Sequence, residues 1–215
     1  MEEKPKSTRS QRLKESSQQR RVQDKLDVRQ AILEASSELF LQTGYERFSL
    51  RQVAEKLGYS PGTLYLYFQD KDALLFAIMN EGVLKLNYTL REAFQISDVR
   101  QRMVASSKAF VDFGLQNPAY YQLIFMQRPD FIIRQGIGTP PPMLEIFSSW
   151  QAMVEEAMRV GILRMGNPIS TCDAFWSLLH GVVSLAILMP IFDAKRIEDM
   201  VAVCLEMIVT GIHKN

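Results

Sequence analysis

Cysteine and histidine are scarce in this chain, with two of each. Cys172 and Cys204 both fall in apolar helical patterns, so they read as buried free thiols of a reducing compartment, not as a disulfide pair. His180 and His213 have no cysteine or carboxylate at ligand spacing, so neither a metal site nor a cofactor is expected. The sequence lacks a nucleophile–base pair and a glycine-rich phosphate loop, which argues against an enzyme. Alternation of apolar and polar residues, the mark of a strand, is missing, as is any internal repeat. The N-terminus lacks the apolar stretch of a secretory leader, so a cytoplasmic location is expected. With a net charge of +1 the chain is no polycation, and any contact with nucleic acid has to be local.

What is present is apolar and helical. Hydrophobic residues make up 47% of 215, enough for a sizeable core in one large domain or a small domain joined to a larger one. Charge is unevenly spread. Residues 1–26 hold Lys4, Lys6, Arg9, Arg12, Lys14, Arg20, Arg21 and Lys25 against Glu2, Glu3, Glu15 and Asp24. With almost no apolar content, this stretch is expected to be a disordered basic tail. Residues 174–192 carry no Asp, Glu, Lys or Arg and approach the length of a membrane span. Ser177, His180, Ser184 and Pro190 interrupt them without a flanking basic cluster, so a helix buried on two faces is the expected reading, with no membrane.

The helical period begins at Val28, where Ile32, Ala35, Leu39 and Phe40 share a face and Gly44 ends the run. Ser49 suits the cap of a second helix with Leu50, Val53, Ala54 and Leu57 on its inner face. Gly58-Tyr59 is the turn, and Ser60 with Pro61 opens a third helix to about Phe68. Asp70 then caps a helix over 71–94, a rod of about 36 Å. Further helices are expected at 99–116, 118–126, 142–160, 170–189 and 195–213, with Ser170 and Asp173 as a capping box. Residues 129–142 read as a Gly- and Pro-rich loop.

The stretch from Phe48 to Lys71 is a helix-turn-helix pattern. A small residue, Ala54, stands where two helices cross, and Gly58 where the turn needs positive φ. An ordinary helical hairpin shares these features. The outward face of the third helix does not suit one: Ser60, Gly62, Thr63, Tyr65 and Tyr67 offer close backbone approach and phosphate hydrogen bonds. Lys71, a cation in a first helical turn, opposes the helix dipole; Asp70 and Asp72 offer one compensation, and a nearby phosphate explains it better.

In these residues, from Val28 to Leu75, the chain resembles the TetR family of bacterial transcription repressors. The resemblance implies an all-α homodimer with an N-terminal three-helix DNA-binding domain and a C-terminal helical ligand-binding and dimerisation domain. The expected division is 1–26 tail, 27–72 helix-turn-helix and 73–215 effector and dimerisation domain. Carried over by position, Ser49 and Arg51 contact DNA backbone, Ser60, Pro61, Gly62 and Thr63 approach base edges, and Tyr65, Tyr67 and Lys71 hold phosphates. The tail is longer than the arm usual in this family. Trp176, His180 and Gly181, with the upstream Asn117-Pro118 and Phe125-Met126, resemble a subgroup with a Trp-His-Gly signature.

For the sensor half, Phe110, Phe113, Tyr121, Phe125, Trp150, Met153, Trp176 and His180 are the candidate ligand-binding residues. As a set they favour a small hydrophobic or amphipathic effector, although any helical core uses the same residue types. Arg128, Arg134 and Arg164 read as solvated surface, with contact to an anionic head group as the alternative. The apolar last two helices are expected to form the homodimer interface, suiting a reader of two half-sites about 34–36 Å apart. The expected function is a ligand-responsive, homodimeric, sequence-specific DNA-binding repressor released from its double-stranded operator by effector. The alternative is a DNA-bound scaffold, without small-molecule effector, whose C-terminal domain binds a protein partner.

Overall fold

The computed structural model describes residues 9–127, 141–189 and 191–210, and every regular element among them is helical. The chain forms two compact units, one ending at Ala77 and one beginning at Ile78.

In the first unit α1 runs Arg9–Arg47, α2 Leu50–Leu57 and α3 Pro61–Tyr65, and α4 (Lys71–Phe94) begins. The expected disorder of the tail is corrected: α1 starts at Arg9, well before Val28. Lack of apolar residues argues against burial, not against helix. Gln, Arg, Lys and Glu are good helix formers, and extending a helix already formed at Val28 avoids the cost of a new nucleus. Gln23 donates to Asp27 Oδ1 at 2.7 Å, one helical turn on. Gly44, at φ 69° and ψ 174°, breaks the helical path inside α1. The four helices of this unit contribute a common set of buried residues, Ile32, Phe40, Val53, Ala54, Leu64 and Leu74, with Phe48 from the link between α1 and α2. Ala54 is fully buried where α2 packs against its neighbours, and Gly58 takes the left-handed conformation at φ 70°. The third helix ends at Tyr65, short of the expected Phe68, because Leu66 and Tyr67 close a tighter turn onto Thr63 and Leu64 carbonyls.

In the second unit α5 (Val99–Gln116) is central, packing against α6 (Pro118–Gln122), α7 (Pro141–Arg159), α8 (Pro168–Leu188) and α9 (Ala194–Thr210). The single helix expected at 118–126 is an α-turn followed by a π-helical turn, Leu123–Gln127. Arg102 of α5 bridges to Glu156 of α7 at 2.8 Å and donates to the Ile96 and Ser97 carbonyls. The start of α8 is also corrected. Asn167, not Ser170, caps it, accepting from the Ile169 and Ser170 amides at 2.9 and 3.2 Å. By length and composition α8 could cross a membrane. Phe175, Leu179, Val182 and Val183 are nevertheless buried, while Leu185 and Leu188 are exposed. Most of the 129–142 loop, and the end of the helix expected to reach His213, lie outside the described residues.

Candidate functional site

Two groups of residues carry the chemistry, one in each unit. In the first, α3 is held from behind. Leu64 is fully buried and Phe68 nearly so, which turns the opposite edge outward: Ser60, Pro61, Gly62 and Tyr65 are exposed, Thr63 and Tyr67 half-buried. Ser60 Oγ accepts the Thr63 amide at 3.2 Å and lies 2.9 Å from Thr63 Oγ1, so one short turn is fixed by its own cap. Ser49 does the same for α2, accepting from the Gln52 amide at 3.4 Å, and Arg51 stands exposed in that first turn.

Lys71 has a partner the sequence did not reveal. Its ammonium donates to the Tyr45 carbonyl at 2.9 Å and sits 3.9 Å above the Tyr45 ring. The Tyr45 hydroxyl in turn donates to Asp72 Oδ1 at 2.9 Å. A cation in the first turn of α4 thus has a structural explanation: it ties α4 to the end of α1.

In the second unit the eight sensor candidates divide into two groups. Tyr121 is fully buried, and its hydroxyl lies 2.5 Å from His180 Nδ1. The His180 ring stacks on Tyr121 at 5.4 Å and on Trp176 at 5.0 Å, with Phe125 at 5.8 Å. Phe110 lies 5.9 Å from Tyr121, and Phe113 is buried on the same helix. Burial pushes the Tyr121 phenol up and the His180 imidazolium down, so both are neutral at neutral pH. The hydroxyl and Nδ1 share one hydrogen bond, in which the hydroxyl donates when the imidazole proton is on Nε2 and accepts when it is on Nδ1.

Trp150 and Met153 belong elsewhere. Trp150 packs between Phe94 at 5.7 Å and Phe175 at 4.9 Å, and Met153 Sδ lies 3.7 Å from Ser106 Oγ. Phe94 and Phe175 were missed because each looked like one more apolar residue in a helical run. The Trp150 indole N–H is buried without a partner among the described residues. Beside this group a surface cleft of about 410 Å³ opens between α4 and α7, lined by Asn87, Arg91, Phe94, Gln95, Glu145, Ile146 and Ser149. Arg164 is exposed, and Arg128 and Arg134 lie outside the described residues. No cluster of three or more His, Cys, Asp or Glu side chains suited to a metal occurs among the described residues.

Comparison with known proteins joins both units to one class. Residues 32–78 match the model of bacterial regulatory proteins of the tetR family, and residues 103–208 match that of the tetracyclin repressor-like C-terminal domain. The chain belongs to the TetR family of DNA-binding, helix-turn-helix transcriptional regulators. It is 35% identical over 95 residues to the HTH-type transcriptional activator FasR of Mycolicibacterium smegmatis, a match covering 44% of this chain and 43% of FasR. In fold it is similar to PfmR, a TetR-family regulator of Thermus thermophilus (TM-score 0.70, 19% identity, 85% of this chain and 99% of the other). It is equally similar to FadR of Bacillus subtilis, solved in complex with stearoyl-CoA (TM-score 0.70, 16% identity, 86% and 99%).

Proposed function

We propose that this regulator works as a homodimer whose operator affinity is set by an amphipathic effector, acting as a repressor that the effector releases. The observation that carries the reading is the Leu64-anchored α3 with its exposed Ser60–Tyr65 edge. Ser49, Arg51, Tyr65, Tyr67 and the remaining donors of Lys71 would bind backbone phosphates, while residues 60–63 approach base edges. The exposed apolar residues of α8 and α9, Leu185, Leu188 and Val203 among them, suit burial against a second copy. FasR is an activator, so release from DNA and recruitment at DNA are both open to the same reading head.

The effector class follows from the sensor half. The cleft brings a cation, Arg91, together with the apolar side chains of Phe94 and Ile146. From Phe94 the rings continue through Trp150 to Phe175 in α8. An anionic head at Arg91 and an acyl chain over Phe94 fit this arrangement, and the stearoyl-CoA bound by the structurally similar FadR is of that class. The effector would act on α4 and so on the recognition helices. A second reading, a scaffold that binds a protein partner instead, is favoured by the mutual filling of the Tyr121–His180 group by its own rings.

The test uses a duplex recovered by the full chain from a random-sequence pool, with stearoyl-CoA titrated into the complex. The expected result is a 5- to 150-fold change in operator affinity, roughly 1–3 kcal/mol of coupling. Unchanged affinity across acyl-CoA and free fatty-acid ligands would favour the scaffold.

A further inference from the structure

The face of α1 that enters the core at Ile32, Ser36 and Phe40 continues beyond the core toward the N-terminus. There, at intervals of one turn, it carries Arg29, Lys25 and Arg21, all exposed. Val22 and Leu26 flank this stripe at 55% and 53% exposure, a helix face that has lost its cover. At about 100° per residue, Arg20 and Asp27 fall on the other side of the helix, while Asp24 lies at the edge of the stripe. Neither Arg21 nor Lys25 is paired with a carboxylate among the described residues. The stripe also adjoins the reading head, because the Arg29 guanidinium lies 5.3 Å from the ring of Phe68. The Phe68 amide is in turn bonded to the Leu64 carbonyl of α3.

We infer that the N-terminal extension of α1 is a second nucleic-acid contact, in which Arg21, Lys25 and Arg29 bind the phosphate backbone of the duplex flanking the bases that α3 reads. From Arg21 to Arg29 the helix rises about 12 Å. Phosphates recur about every 3.4 Å of axis along one strand, so three cations find three partners within reach. Val22 and Leu26 would be covered by the sugar edges of the same strand. A second copy of the chain is a poor occupant, since it would bring like charges together. This inference rests on the DNA-binding reading of α3, and its test separates the two.

The experiment measures binding of the full chain to its pool-selected duplex across a series of salt concentrations. Arg21→Gln/Lys25→Gln is compared with Arg20→Gln and Tyr65→Ala, with helicity and melting temperature as folding controls. Each phosphate neutralised adds about 0.9 to the slope of log affinity against log salt. The double variant is expected to lose about 2 from that slope per chain bound and to select the same sequence, with affinity falling on the order of tenfold at physiological salt. Arg20→Gln, from the far side of the helix, is expected to leave the slope near wild type. A wild-type slope in the double variant would overturn the inference while leaving α3 as reader. A slope loss from Arg20→Gln as large as half that of the double variant would replace a stripe with a diffuse field and also overturn it. If Tyr65→Ala binds like wild type, the reading of α3 fails as well.

Discussion

His180 shows how a polar residue is kept inside an apolar unit. Its Nδ1 shares a hydrogen bond with the Tyr121 hydroxyl, its faces take Tyr121 and Trp176, and burial keeps it neutral. The sign of the pH effect follows from that state. With the folded-state pKa below the ordinary 6.5, the unfolded chain binds the proton first as pH falls. Stability is complete above 6.5 and is lost between 6.5 and the lower folded value. Melting temperature is expected to decline over that acid window in wild type, and to decline less in His180→Gln, whose amide can still hydrogen-bond the Tyr121 hydroxyl. Equal declines would mean that other groups set the acid limb. At this scale the sequence was readable where a residue's role is local: Ser49, Gly58, Ser60 and Asp70 cap and turn as their types dictate. Lys71 was less so, because its carbonyl partner at Tyr45 is 26 residues away and leaves no mark in local spacing.

Helices in the second unit meet closely at Gly114. A Cβ there would overlap Val183 Cγ1 of α8 and come within 2.9 Å of Tyr121 Cδ2 of α6, so the missing side chain lets α5 approach both. Gly114→Ala is expected to destabilise the unit by about 1–3 kcal/mol in urea unfolding, and to loosen the Tyr121–His180 contact. A neutral effect would show that α8 shifts freely. Element positions followed from period and caps, and α4 and α5 begin and end where these signals fall. The extension of α1 did not, because low apolar content marks exposure rather than disorder. Nor did the grouping of aromatics. Trp150 and Trp176 have the same sequence character, and only the tertiary arrangement assigns one to Phe94 and Phe175, the other to His180 and Phe125.

As a whole, the chain is an all-helical TetR-family regulator with an N-terminal helix-turn-helix unit and a C-terminal helical unit. The helix-turn-helix was legible because its caps, turn and crossing demand particular residues in register. The sensor half was legible only in class, since a pocket and a core draw on the same apolar residues. The central claim is that α3 reads DNA sequence, and its most direct test is titration of wild type and Tyr65→Ala onto the pool-selected duplex with unrelated DNA as competitor. Tyr65 is 59% exposed, so its removal should leave melting temperature unchanged. The account predicts tight, competitor-resistant binding by wild type, weakened at least tenfold in the variant, about 1.4 kcal/mol or more. Weak binding that competitor removes equally from both proteins would contradict it.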